Sequence, residues 1–304
     1  MPHTLLVGLL AALAAALIGS GWQLASRHGV TTTLGPLELA VMRYGIPALV
    51  LLPLLLRGDA PWSGITLRTK AMLVLGAGLP FGLLALAGAR YAPAAHMGII
   101  MSGSMPLFTA LGGWAVRGDA IAGARLAGLV LIAAGMALFG FGSLGDPSAS
   151  WRGDLLFLLA SMLWAAYSLV FARAGVTSWQ GAAFVNAWSA LLLLPIVLVV
   201  GVPRLFTAPW TDVAWQALGQ GVVAGMLGLV TYTAAIKRLG AARASLSAAL
   251  VPVMTALGAA WLLGEPLTGA TLVALALVVP GVALAGGALR WPLRGVPCSG
   301  VTDA

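Results

Sequence analysis

The chain has 304 residues, of which 61% are hydrophobic and only 8% are charged. Soluble domains carry about 25% charged residues, so this composition excludes a soluble globular protein and indicates an integral membrane protein. The net charge of +8 comes from basic residues scattered singly over short loops, which favours orientation in a lipid bilayer over nucleic-acid binding.

Apolar runs between charged or Pro/Gly breaks predict ten transmembrane helices. They lie at residues 4–24, 35–56, 71–90, 93–115, 121–142, 153–173, 180–201, 213–236, 241–263 and 267–289. The first run resembles a signal peptide, but no Lys or Arg precedes it, so we expect it to be retained. The predicted fold class is therefore all-α, with ten membrane-spanning helices and no soluble catalytic domain.

The second half of the chain repeats the first at an offset of 146 residues. Residues 106–140 and 252–286 align without a gap and are identical at 15 of 35 positions, including the pairs Pro106/Pro252 and Gly118/Gly264. Five helices per copy is an odd number, so the second copy would enter the membrane from the opposite side. We therefore predict two inverted five-helix repeats, 1–145 and 146–290, followed by a cytoplasmic tail, 291–304.

Loop charges predict the orientation. With the N-terminus inside, eleven basic residues lie in cytoplasmic segments and four in periplasmic loops. This asymmetry places both termini in the cytoplasm of a bacterial inner membrane.

Little in the sequence is typical of catalysis or of cofactor binding. His3, His28 and His96 are far apart, and Cys298 is the only cysteine, so neither a metal motif nor a disulfide within the chain is predicted. We therefore expect no enzyme activity and no cofactor.

Three ionisable residues of the predicted helices are candidates for gating or coupling. Glu38 and Arg43 either form a gate or contact substrate charge near the outer side, or Glu38 lies at the membrane interface while Arg43 snorkels or binds a helix end. His96 either senses protons or binds substrate, or has a structural role. Facilitated export and proton coupling through one of these residues both remain open.

A polar and aromatic face on the sixth helix predicts a substrate site. Ser161, Trp164 and Ser168 share that face, with Tyr167 beside them. The face either lines a cavity or packs against neighbouring helices; if it lines a cavity, Trp164→Ala should reduce transport and leave expression intact. Further candidates for substrate binding are Trp22, Ser102, Ser104, Tyr232 and His96.

Matched prolines and small residues indicate the mechanical parts. Pro106 and Pro252 predict kinks in the fourth and ninth helices, which either act as hinges or shape the cavity statically. Glycine-rich fifth and tenth helices, with residues such as Gly128 and Gly281, predict close helix packing and, as an expected partner interaction, a homodimer seam.

These motifs resemble the drug/metabolite transporter superfamily, specifically its branch of ten-helix permeases with EamA domains. The resemblance is carried by residues 91–95 leading to Pro106, by residues 252–257 and 264–268, and by residues 159–165. Ile18 stands where the family often has Trp, and Asp119 replaces the usual Glu. Among members, general similarity is greatest to bacterial exporters of amino acids, including aromatic ones.

The resemblance implies a central cavity between helices one, three, four, six, eight and nine, with five and ten outside. It implies export of small organic solutes by alternating access, with amino acids as the expected substrates. Little fixed charge is predicted in the cavity, which suits zwitterionic or neutral solutes. Exporters of drugs or other neutral metabolites, and a membrane protein that does not transport, are the alternatives.

Overall fold

The computed structural model describes residues 2–56, 62–144, 150–240, 244 and 249–286, with side chains from residue 5. Ten long helices lie in these ranges: α1 Pro2–Thr31, α2 Pro36–Leu56, α3 Leu67–Tyr91, α4 Ala94–Arg117, α5 Gly123–Leu144, α6 Trp151–Phe171, α7 Ser178–Val200, α8 Trp210–Leu239, α9 Leu250–Leu262 and α10 Gly269–Ala285. The predicted repeat boundary at 145/146 and the predicted tail, 291–304, lie outside the described residues.

The ten helices overlap the ten predicted spans, and the fold is that of an all-α, multi-pass membrane protein. Eight of the described helices are long and apolar enough to cross a bilayer, while α9 and α10 are shorter apolar helices of 13 and 17 residues. Large apolar side chains are exposed along the outer surface, for example Leu198 and Trp261. Such a surface requires lipid, because water would oppose this much exposed apolar area.

Three helices contain wide π-helical turns at mid-length. These are Val41–Gly45 in α2, Met97–Ser102 in α4 and Ala217–Gly228 in α8. A π turn alters the regular ladder of helix hydrogen bonds and is frequently found at functional sites. All three segments contribute residues to the same central cavity.

Glycine allows two pairs of helices to approach closely. At Gly225 of α8, an added Cβ would meet the carbonyl oxygen of Arg43 in α2, so only glycine fits. At Gly128 of α5, an added Cβ would lie 2.5 Å from the carbonyl oxygen of Gly281 in α10. The small residues of α5 and α10 therefore pack these helices together within the chain.

Candidate functional site

A central cavity of about 80 Å³ lies among seven helices. Its walls come from α1, α2, α3, α4, α6, α8 and α9, and among the described residues α5, α7 and α10 contribute none. The lining residues are Ala15, Ile18, Gly19, Trp22, Gln23, Arg43, Phe81, Met101, Ser102, Met105, Trp164, Ala224, Gly228, Leu229, Tyr232 and Val251. Both halves of the chain thus build one site, and α2 joins the set that the resemblance implied.

Aromatic rings form one wall of this cavity. The ring of Trp164 lies 4.7 Å from that of Phe81 and 5.1 Å from that of Tyr232, and Phe81 lies 5.8 Å from Trp22. Tilted rings at these distances attract one another beyond their burial, which stabilises the wall. An aromatic wall suits a small amphipathic solute.

Arg43 places one full positive charge at the cavity. Its side chain lies inside the helix bundle; the guanidinium lies 4.2 Å from the centre of the Trp22 ring, and the residue is only 5% exposed. Nε and Nη1 are buried without a hydrogen-bond partner, and none of the ion pairs among the described residues includes Arg43. The expectation of little fixed charge in the cavity therefore misses a buried cation.

Buried amides and hydroxyls connect the cavity wall to its neighbours. Gln23 donates to Ser102 Oγ at 2.7 Å and accepts from Thr255 at 2.8 Å, while Trp22 donates to Gln220 Oε1 at 2.8 Å. Gln220 in turn donates to Ser26 Oγ at 3.1 Å. This network fixes α1 to α4, α8 and α9, because each broken bond would leave a buried polar atom unsatisfied.

Four of the sequence-predicted substrate residues line the cavity: Trp22, Ser102, Trp164 and Tyr232. Of the polar face on α6, only Trp164 does so. Ser161 lies 2.8 Å from Ser104 Oγ, which joins α6 to α4.

The remaining α6 residues also face other helices. The Ser168 hydroxyl lies 2.9 Å from that of Tyr232, which joins α6 to α8. Tyr167 is fully buried at the contact of α6 with α3. The helices are so close here that a Cβ added to Gly76 would lie 2.6 Å from the Cβ of Tyr167. A face shared along one helix here contacts several neighbours, because helices surround α6.

The predicted gating residues near the outer side make local contacts. Glu38 accepts a hydrogen bond from the backbone N–H of Gly35 at 3.1 Å and so caps the start of α2. His96 Nδ1 lies 2.8 Å from Asp154 Oδ1, and its ring packs 4.4 Å from that of Phe139. Neither Glu38 nor His96 lines the central cavity.

The two matched prolines lie in different local settings. Pro106 lies inside α4, four residues after the π turn ends at Ser102, where its missing N–H interrupts regular bonding. Pro252 lies in the first turn of the described α9. Residues 245–248 precede it outside the described ranges, so a kink in the middle of the predicted ninth span stays a prediction.

The glutamines of the network, and Phe81, were missed by the sequence reasoning. A signal for the glutamines was present: Gln23 lies in the first predicted span, and Gln216 and Gln220 lie four residues apart in the eighth. Buried amides in a membrane need partners, so such residues point to an interior face. Phe81 carries no comparable signal, since a phenylalanine suits both lipid and protein surroundings.

Polar contacts tie the helices together at the end of the bundle beyond the cavity. Arg27, one turn beyond Gln23 on α1, pairs with Glu265 at 2.7 Å and donates to the Ala89 carbonyl at 2.8 Å. Glu265 also accepts from the backbone N–H of Ala94 at 2.7 Å. The ends of α1, α3 and α4 are thereby joined to the segment between α9 and α10.

The opposite end carries a different ion pair. Asp119, between α4 and α5, is paired with Arg117 of the preceding helix. That hydrogen bond lowers the pKa of the Asp119 carboxyl, and the charges of Arg117, Arg125 and Arg173 lower it further. Arg173 and Arg117 line a cleft of about 710 Å³ between α3, α4 and α6.

Known proteins resemble this chain in sequence and fold. Over 271 residues it is 27% identical to the uncharacterized transporter YyaM of Bacillus subtilis, covering 84% of this chain and 86% of that protein. A crystal structure of another protein, 24% identical, shares the fold with a TM-score of 0.64 over 91% of this chain and 96% of that one.

A further relative belongs to a different class. Over 176 residues the chain is 30% identical to the protein named "Probable peptidoglycan glycosyltransferase FtsW" of Halorhodospira halophila, which covers 56% of this chain but 43% of that protein. A match over less than half of that protein does not establish an enzyme. By contrast, the profile of the EamA-like transporter family matches residues 6–141 and again 151–287. Because these two matches cover nearly the whole chain, the protein belongs to the EamA-like transporter family.

Proposed function

We propose that this membrane transporter exports small organic solutes, foremost amino acids, from the cytoplasm across the bacterial inner membrane. The observation that carries the proposal is the central cavity, which combines aromatic walls, hydrogen-bonding side chains and one cation. Drug-sized ligands occupy sites of roughly 300–1,000 Å³. A cavity of about 80 Å³ is well below that range, so it admits no drug-sized solute in this conformation and must widen to hold any but the smallest amino acids.

Alternating access would follow from two inverted five-helix repeats. The end of α1 and the start of α4 lie at one end of the bundle, since Arg27 bonds to Glu265 and Glu265 bonds to Ala94. His96 at the start of α4 contacts Asp154 at the start of α6. The first helices of the two halves thus run in opposite directions, which supports an inverted arrangement around the cavity.

We further propose facilitated export without proton coupling. Among the described residues the cavity holds no carboxylate or histidine, and a guanidinium such as that of Arg43 stays protonated in proteins. Glu38 and His96 lie away from the cavity in local contacts. An imposed pH gradient should drive no net uptake of a labelled amino acid into vesicles that hold no unlabelled solute, and such uptake would favour the proton-coupled alternative.

Counterflow in proteoliposomes tests the function. Vesicles loaded with one unlabelled amino acid at a time should accumulate a labelled amino acid transiently, and the stimulation ranks the substrates. Silence across amino acids, with stimulation by drugs or nucleobases, would refute the substrate class. Silence across all solutes would favour a protein that does not transport.

Two glycines on α1 allow a test of whether the solute passes through the cavity. Gly19 lines the cavity, whereas Gly21 is exposed and has nothing within 4 Å of an added Cβ. Gly19→Leu should abolish counterflow by filling the cavity, and Gly21→Leu should retain it. Equal activity of the two variants would show that solute takes another route.

A further inference from the structure

We propose that Arg43 is the substrate's anion-binding residue and that the carrier selects solutes with a carboxylate. This inference rests on the proposed function and names the substrate chemistry of the same cavity. Burying a charge without a partner costs several kcal/mol of folding free energy, on the order of the desolvation penalty of one ion. Arg43 is 5% exposed, and two of its guanidinium nitrogens lack partners.

The surroundings of Arg43 hold it at the cavity without neutralising it. The ring of Trp22 stacks at 4.2 Å from its guanidinium carbon, and the rings of Tyr44 and Phe81 lie within 6.0 Å. Cation–π contacts attract the guanidinium but supply no hydrogen-bond acceptor, and its side-chain hydrogen bond to Tyr44 leaves Nε and Nη1 unpaired. The N–H groups on Nε and Nη1 of Arg43 are therefore free to donate hydrogen bonds to a solute in the cavity.

Competing protein carboxylates are engaged elsewhere. Glu38, five residues away on α2, caps Gly35, and Glu265 pairs with Arg27. Of the ion pairs that the described residues form, none involves Arg43. A solute carboxylate would thus enter without displacing an existing partner.

The chemistry of the cavity favours a carboxylate over a phosphate. A monoanion balances the single guanidinium, whereas a phosphate dianion would keep one charge unpaired in a largely apolar site. The Gln23 amide and the Ser102 hydroxyl lie in the same wall and supply hydrogen bonds for a small polar group. The aromatic wall then accepts the apolar remainder of the solute.

Analogues that differ only at the carboxylate test this assignment in the unmodified protein. Competition for counterflow should weaken by roughly 10- to 150-fold when the amino acid is replaced by its amide or by the decarboxylated amine, the loss expected for one charge-assisted hydrogen bond. A phosphonate analogue should also compete poorly. Equal competition by amide, amine and parent would overturn the role of Arg43 while leaving the carrier function intact; no flux with any solute would overturn both.

Variants of Arg43 supply the second arm. Arg43→Gln should abolish the preference for the carboxylate over the amide, and Arg43→Lys should keep part of it. Arg152→Gln is the matched control, because Arg152 also lies over an indole ring, that of Trp151 at 5.6 Å, but away from the cavity. A preserved preference in Arg43→Gln would contradict the proposal.

The two ends of the bundle differ in their ion pairs. The repeat offset of 146 residues relates Arg27 to Arg173 and Asp119 to Glu265. Arg27 and Glu265 form an ion pair in this structure, whereas their counterparts do not: Asp119 pairs with Arg117, and Arg173 is exposed. The end of the bundle at Arg27 is therefore closed by an ion pair between the two halves, and the opposite end at Arg173 is not.

We infer that Arg173 and Asp119 form the equivalent ion pair when the Arg27–Glu265 pair breaks, so that the two pairs alternate during transport. Each pair would join the first helix of one half to the loop before the last helix of the other. The charge of Arg173 already contributes to the low pKa of Asp119, so the two groups lie within electrostatic reach. In the present structure, Asp119 is paired with Arg117 instead.

Thiol labelling measures this exchange without requiring flux. In a Cys298→Ser background, Met105→Cys places a thiol at the cavity wall, to be labelled by an impermeant reagent from the predicted outer side. Glu265→Gln should raise the labelling rate and Asp119→Asn should lower it, each by about 5- to 150-fold as for a typical coupling between states. Asp212→Asn, at an acidic residue outside the ion pairs of the described region, is the control.

Two results would overturn the exchange: labelling that Glu265→Gln leaves unchanged, or the same direction of change in both variants. Combining Asp119→Arg with Arg173→Asp should restore the labelling rate, because the pair is rebuilt with reversed charges. Correct labelling changes in a protein without counterflow would refute the proposed function and keep the exchange.

Discussion

Trp164→Phe is the most informative change to the aromatic wall. Three rings surround the indole, with centroids at 4.7 Å for Phe81, 5.1 Å for Tyr232 and 5.6 Å for Tyr167. Truncation to alanine would remove three pairs worth about 0.5–1.5 kcal/mol each and leave a void, about 3–5 kcal/mol in all. Trp164→Ala is therefore expected to lower expression, contrary to the expectation from sequence.

Phenylalanine keeps a six-membered ring in place and removes less volume than alanine, so it should cost less stability than the about 3–5 kcal/mol of Trp164→Ala. The solute loses part of its wall, about 1–1.4 kcal/mol, so the KM for amino acids in counterflow should rise about 5- to 10-fold. Trp261→Phe is the control, because Trp261 is 85% exposed on α9. An unchanged KM for every amino acid in Trp164→Phe would remove this residue from the substrate path.

Three further changes probe the scaffold. Gly225→Ala should prevent stable insertion, because the added Cβ would meet the backbone of α2. Gly140→Ala is the control and should insert normally, because an added Cβ there has nothing within 4 Å. Insertion is measured as the yield of detergent-solubilised protein. Ser189→Ala should lower the melting temperature, since it orphans the buried N–H of Leu79 at a cost of about 1–3 kcal/mol, and unchanged melting would contradict this bond. His96→Gln should show no net uptake driven by a pH gradient, as in the wild type. Gradient-driven uptake that occurs in the wild type and is lost in the variant would assign proton coupling to His96.

Hydrophobic run lengths predicted the membrane class and the ten helices, because lipid allows little besides apolar helices. Run lengths cannot place a side chain around its helix. Arg43 is the clearest case: a snorkelling arginine and a cavity arginine have the same sequence signature, and only the packing of α1, α3 and α8 around α2 separates them. The serines of α6 differ from their expected role for a related reason, since a helix surrounded by neighbours uses its polar groups to bind them.

The internal repeat identifies which residues of the two halves correspond, and the structure shows that corresponding residues have different partners. The offset that aligns Arg27 with Arg173 is visible in the sequence, but the sequence does not show that one arginine pairs with Glu265 while the other leaves Asp119 to Arg117. The π turns were not predicted, because no residue pattern in them differs from that of an ordinary apolar helix. They depend on contacts between helices rather than on local preference.

Substrate protection of a cavity thiol tests whether amino acids pass through the site between the two halves. Met105→Cys in the Cys298→Ser background places the thiol in the cavity wall, and Thr231→Cys, at a half-buried position on α8 that does not line the cavity, serves as the control. A transported amino acid is expected to slow labelling at position 105 in proportion to its occupancy and to leave position 231 unaffected. Labelling at position 105 that no counterflow substrate slows would show that amino acids do not pass through this cavity.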